Sequence, residues 1–135
     1  MKFRLVEEID INNLYKNIPK YLYHATYGKY LDLIKKDGVI KGGVNKTYSF
    51  SNPVICLSPD LDEAGCFADA ADNIADDVYD SGVYVLKICT DNLDKSKLTK
   101  DRNTTPWEEN GIWYGITYEY SDNIPISEIK EIIKY

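Results

Sequence analysis

The single histidine of the chain, His24, lies in the stretch YLYHAT, and Glu119 sits between two tyrosines in the alternating stretch IWYGITYEY. An imidazole can orient a hydroxyl group. A carboxylate fixed in a sheet face can stabilise positive charge that grows on a substrate as it reaches the transition state. Phe67 could offer its ring to a cationic aromatic ligand, an attraction of about 0.5 to 2 kcal/mol. Each of the three also has a packing role open to it. His24 fits a hydrogen-bonded core residue in a tyrosine-rich strand, Glu119 an exposed glutamate on an edge strand, and Phe67 a core residue on a helical stripe. Cys56 as nucleophile with His24 as base would make a protease-like pair, but no local signature accompanies it. Asp60-Leu61-Asp62-Glu63-Ala64-Gly65 lacks the alternating oxygen ligands around a glycine that a calcium loop needs. The three cysteines, Cys56, Cys66 and Cys89, lack CxxC spacing and fall within apolar runs, so buried, reduced thiols are expected, with no disulfide and no zinc.

The elements that must position these groups follow from periodicity. Strands are expected at residues 3–6, 21–26, 54–57 and 83–90. Tyr27, Tyr30, Leu31 and Ile34 recur at helical spacing, Lys35 and Lys36 suit the helix C-terminus, and Gly38 is a natural stop. Residues 38–52, rich in glycine and asparagine, read as a loop. Asp60 and Glu63 have capping-box spacing, and Ala64, Phe67, Ala68, Ala71, Ala75 and Val78 form one stripe, predicting a helix of four or more turns. Residues 91–110 read as a long polar connection, a length that points to function. Residues 112–120 read as one strand, with Trp113, Gly115, Thr117 and Glu119 sharing a face. Ile124-Pro125 then leads through a turn or short helix to a last edge strand.

A chain of 135 residues is expected to form a single domain over residues 1–135, burying roughly two-thirds of its unfolded surface. No apolar run approaches the roughly 18 residues of a membrane span, and the start, MKFRLVEEIDINN, shows no export signal, so the cytoplasm is the expected location. The net charge is −6; eight of the 22 acidic residues lie in residues 59–82, which hold no Lys or Arg, leaving 14 acidic against 16 basic residues elsewhere. Such an acidic segment disfavours general nucleic-acid binding and reads first as a solvated helix face.

The stretches LYHAT, VICLSPDLDEAGCFA and YEYSDNIPISEI, in that order, resemble the ADP-ribosyltransferase superfamily, in its H-Y-E branch and that branch's small bacterial and phage relatives, some of them toxin-like. The resemblance implies an α+β fold of split antiparallel β-sheets with flanking helices. It also implies mono-ADP-ribosyl transfer from NAD, used as co-substrate without a metal, to an unidentified acceptor such as a protein. On that likeness His24 binds a ribose hydroxyl, and Ala25, Thr26 and Ser58 lie along the nucleotide. Phe67 stands for the second tyrosine of the family's helix, and Glu119 is the catalytic carboxylate. Cys56 occupies the place of the family's first tyrosine. Trp107 and Thr117 fall where acceptors are recognised, and Thr117 replaces the acidic or amide residue of arginine-specific members. The alternatives are a catalytically inactive module that binds NAD, an ADP-ribose-like nucleotide or a protein, and a phosphotransferase or NAD glycohydrolase in the same cleft. RNA 2′-phosphotransferases use several arginines, whereas this chain has Arg4 and Arg102.

Overall fold

The computed structural model describes residues 13–41, 54–71, 74–102 and 104–135. The strand expected at residues 3–6 and most of the loop at 38–52 lie outside them. The described chain is α+β, and each of its ladders is antiparallel. Strand β1 (Tyr21–Tyr27) pairs with β4 (Val83–Cys89), placing His24 opposite Leu86, and β10 (Ile129–Lys134) lies on the other side of β4 as the expected edge strand. A second three-stranded sheet has β8 (Tyr118–Tyr120) between β3 (Ile55–Leu57) and β5 (Leu98–Lys100). Two short ladders complete the set, β2 (Val39–Ile40) with β9 (Ile124–Pro125) and β6 (Trp107–Glu109) with β7 (Ile112–Tyr114).

Helix α1 (Gly28–Asp37) forms as its pattern dictates. Leu31 and Ile34 are buried, Lys35 and Lys36 occupy the last turn, and Gly38 ends it in the left-handed region with φ 76°, its N–H reaching the Ile34 carbonyl at 2.9 Å. Helix α2 (Leu61–Asp69) begins at Asp60, whose side chain accepts the Glu63 N–H at 3.0 Å. It ends sooner than its apolar stripe predicts, and α3 (Asp76–Asp80) is a separate turn. A straight helix would carry Val78 about 21 Å along the axis from Ala64. The break instead returns Val78 to the cluster formed by Ala25, Tyr27, Ala64, Ala68, Val83 and Val85. Phe67 is not on the buried side of α2; it is 39% exposed.

The larger core joins the sheets. Leu22, Leu86 and Ile88 of the first meet Ile55, Leu57, Leu98, Tyr118 and Tyr120 of the second, with Leu31 and Ile34 of α1. Full burial of each such side chain stabilises the fold by about 1.5 to 3 kcal/mol. Of the cysteines only Cys89 is buried; Cys56 is half-buried and Cys66 exposed, so the expectation of three buried thiols fails for two. Among the described residues no helix is long and apolar enough to cross a membrane.

Two further differences bear on function. The polar connection at 91–110 carries its own structure, a 3-10 turn (Lys95–Lys97), β5 and β6. The strand expected at 112–120 is interrupted at Gly115, φ 71°, so β7 and β8 belong to different sheets, and Trp113 and Glu119 do not share a face. A Cβ at Gly115 would lie 2.5 Å from Cζ3 of Trp107, and the Gly115 N–H donates to Oε1 of Glu63 at 3.0 Å. Only glycine meets that backbone angle and that approach without strain. Gly115→Ala is expected to cost about 1 to 2 kcal/mol for the left-handed backbone alone, with more if Trp107 fails to move. Urea denaturation followed by circular dichroism checks this, and an unchanged midpoint would show that the break in the strand is not held by this residue.

Candidate functional site

His24 lies where the two sheets part. Tyr23 and Ser58 exchange both backbone hydrogen bonds, at 2.7 and 2.9 Å, forming an isolated bridge between β1 and β3. Beyond it the strands diverge, and the imidazole takes over: Nδ1–H donates to the Cys56 carbonyl at 2.9 Å. In the neutral tautomer that this bond requires, Nε2 is an acceptor, and it is buried without a protein partner. Burial pushes the His24 pKa below the ordinary histidine value, and the bond to the Cys56 carbonyl only partly opposes this.

Glu119 is one strand further. Its Cα partners in the ladder are Cys56 on β3 and Thr99 on β5. These three side chains form a row on the sheet face opposite Ile55, Leu57, Tyr118 and Tyr120, which enter the larger core. Cys56 thus links the two predicted residues, its carbonyl held by His24 and its Cα standing about 5 Å from that of Glu119, the usual antiparallel spacing.

The Glu119 carboxylate is covered by the turn after β5. The main-chain N–H of Arg102 donates to Oε1 at 2.9 Å, and the guanidinium Nε lies 3.3 Å from Oε2. Glu119 is 5% exposed, whereas the Arg102 side chain is 62% exposed. The turn is itself pinned. Asp101 N–H donates to the Thr117 carbonyl at 2.9 Å, the Thr104 hydroxyl to Asp101 at 3.2 Å, and Lys100 Nζ to the carbonyls of Asp101 and Thr104 at 3.2 and 3.1 Å. Sequence reasoning missed this cap; the run Lys100-Asp101-Arg102 in a polar segment was its only trace.

The remaining predicted residues separate by environment. Thr26, on the same β1 face as His24, is fully buried, and its hydroxyl has no protein partner; the same holds for the buried Thr117 hydroxyl, two residues before Glu119. Among the described residues four buried side-chain polar atoms lack a partner, on Tyr15, His24, Thr26 and Thr117, and three of these residues were singled out from sequence. Ala25 is buried against the smaller core. Ser58 holds the bridge to Tyr23 with its backbone, and its hydroxyl accepts the Asp60 N–H at 3.1 Å, so its visible work is structural. Phe67 follows Glu63 by one helical turn, on the flank of α2 that Gly115 ties to the segment leading into β8. Trp107 is half-exposed, stacks on Tyr114 with ring centroids 5.8 Å apart, and lies over Gly115.

The arrangement does not make a thiol nucleophile. His24 meets the carbonyl of Cys56, and burial, followed by the nearby carboxylates Asp101 and Glu119, pushes the Cys56 thiol up to about 12. Among the described residues no cluster of three or more His, Cys, Asp or Glu side chains is placed to hold a metal. A groove lined by Lys29, Asp32, Lys35, Asp77, Tyr84 and Ile132 lies at α1, α3 and β10 and includes none of the predicted residues. No protein-family model and no curated protein matches the chain.

The depressed pKa of His24 sets a pH dependence. Above the unfolded value near 6.5 the imidazole is neutral in both states, and its contribution to stability is complete. As the pH falls below that value the unfolded chain takes up the proton first, and stability drops by up to about 1.4 kcal/mol per pH unit. His24→Gln removes this titration and keeps an amide to donate to Cys56. The stability difference between wild type and variant, measured by urea denaturation between about pH 7.5 and 5, should shift in favour of the variant as the acid increases. Parallel curves would mean that His24 takes up its proton in the fold as readily as in the unfolded chain, so that burial does not depress its pKa.

Proposed function

We propose that the chain is a mono-ADP-ribosyltransferase that moves ADP-ribose from NAD to an acceptor such as a protein. The observation that carries this reading is the pairing, across one strand, of a buried carboxylate at Glu119 with a buried imidazole whose Nε2 is uncommitted. The split between the sheets at β1 and β3 agrees with the architecture that the sequence resemblance implies. His24 Nε2 accepts a hydrogen bond from a ribose hydroxyl. Breaking the bond from the sugar anomeric carbon to nicotinamide sends the electron pair to the departing ring and leaves positive charge on the sugar. Glu119 stabilises that charge, and because its carboxylate is already fixed by the main chain of Arg102, little reorganisation is needed. The acceptor then bonds to the same carbon and gives up its proton. Phe67 supports the cationic nicotinamide ring by stacking.

The second reading is a module that binds a nucleotide of this type without turnover. One observation favours it: both oxygens of Glu119 already have contacts from Arg102, so the carboxylate is satisfied before any substrate arrives.

Labelled NAD incubated with the protein and a cell lysate separates the two. Transfer predicts covalent label in the wild type and its loss, by at least about a hundredfold, in Glu119→Gln, the scale on which single charge-stabilising groups act. NAD binding by calorimetry with no label in the wild type would favour the binding module. Free ADP-ribose without labelled macromolecule would point to glycohydrolysis, and phosphate moved from 2′-phosphorylated RNA to the phosphotransferase class.

A further inference from the structure

Both tryptophans of the chain, Trp107 and Trp113, lie on the β6–β7 ribbon, outside the two cores. The register pairs Trp107 with Tyr114, Glu108 with Trp113 and Glu109 with Ile112. One face therefore carries Trp107, Tyr114, Ile112 and Glu109, and the other carries Glu108 and Trp113. Trp107 is 50% and Ile112 56% exposed, and both glutamates are exposed. A two-stranded ribbon is marginal in water by itself, and this one is anchored at its base, where Trp107 lies over Gly115 and Gly115 bonds Glu63. Packing within the described residues does not explain why a tryptophan and an isoleucine are shown to solvent there, with Trp113 half-buried on the other face. The ribbon and the chain that follows it carry charge of one sign, since residues 104–129 contain no Lys or Arg; the nearest cation in the sequence is Arg102, with Lys100 bonded to the Thr104 carbonyl.

We propose that the β6–β7 ribbon is a docking surface for a basic segment of a partner protein. Arginine or lysine side chains of the partner lie over the Trp107–Tyr114 stack, where an indole face attracts a cation, and Glu108 and Glu109 pair with their charges. Tryptophan and tyrosine are the residue types that dominate binding at interface centres, and rim carboxylates steer a cationic partner toward them. A nucleic acid is the wrong partner for this surface, since its phosphates meet two carboxylates and no cation on the ribbon. The surface suits a cationic chain whether or not Glu119 turns over a nucleotide.

The placement of both tryptophans makes the test direct, because the intrinsic indole emission of the full chain reports on this ribbon alone. Titration with a synthetic peptide of repeated Gly-Ser-Arg triplets should change the emission saturably, and the matching Gly-Ser-Glu peptide should not. The exposed double variant Glu108→Gln/Glu109→Gln should bind the arginine peptide at least about fivefold more weakly, with its circular dichroism unchanged. Removing the same charge at a distance, in Asp76→Asn/Asp80→Asn, should alter binding by less than about twofold. Equal weakening in the two double variants would reduce the effect to net charge and overturn the proposal. So would the absence of a saturable change with the arginine peptide, or a stronger response to a single-stranded RNA oligonucleotide.

Discussion

Among the described residues the two three-stranded sheets share a single backbone bridge, Tyr23 to Ser58, and everything beyond it depends on what holds the strands once they part. A diverging strand leaves a carbonyl without its ladder partner, and an unpaired buried carbonyl costs about 1 to 3 kcal/mol. His24 resolves this for Cys56 by donating a side-chain N–H where a backbone N–H no longer reaches. The imidazole is therefore a structural wedge. It is also an unusual one, because using Nδ1 in this way leaves the opposite nitrogen as a buried acceptor with nothing to accept. A glutamine or asparagine amide would also satisfy the carbonyl, but only an imidazole presents an acceptor from the far side of a rigid ring. The geometry that gives this residue its packing role is the one that leaves its Nε2 unpartnered.

The same fork explains the position of the carboxylate. Because β3 leaves β1 so early, its remaining residues are free to pair with β8, and the register sets Glu119 against Cys56. The sheet face with tyrosines and aliphatics closes the larger core, so the alternate face must either be solvated or be covered. It is covered by the turn that follows β5, and the main-chain N–H of Arg102 makes that cover compatible with a buried negative charge. Thr117 accepts the Asp101 N–H through its carbonyl, so the strand that carries the glutamate also locates the turn that satisfies it.

How far this was legible from sequence depends on whether the signal was local. The C-terminal glycine of α1, the Asp60 cap of α2 and the apolar runs of β1, β3 and β4 are local features, and they formed as their residues dictate. The failures share another cause. An unbroken apolar stripe predicted one long helix, but stripes record which residues are buried and not whether the axis is straight; breaking the helix lets Val78 reach the same cluster as Ala64. An unbroken alternation predicted one strand from 112 to 120, but a single glycine at positive φ, packed under an indole ring, divides it between two sheets. The pairing of Trp113 with Glu119 on one face was lost with it. Glu119 was found because its neighbours alternate cleanly, while Arg102 was not assigned to it because a turn that caps a carboxylate through its main chain leaves no mark in the residue types. His24 on β1 and Glu119 on β8 lie on either side of β3, a placement that follows from strand pairing and not from the short motifs.

The two Arg102 contacts to Glu119 differ in what it takes to remove them. The guanidinium is largely in water, where an ion pair contributes about 0 to 1 kcal/mol, so it can swing away at little cost. The main-chain N–H cannot leave without undoing the bonds that Lys100, Asp101 and Thr104 make within the turn and to Thr117. A ligand arriving beside Glu119 therefore meets a carboxylate with one weak contact to displace and one strong contact that keeps it aimed. That division lets the contact at Oε2 be exchanged while the main-chain bond to Oε1 and the sheet stay in place.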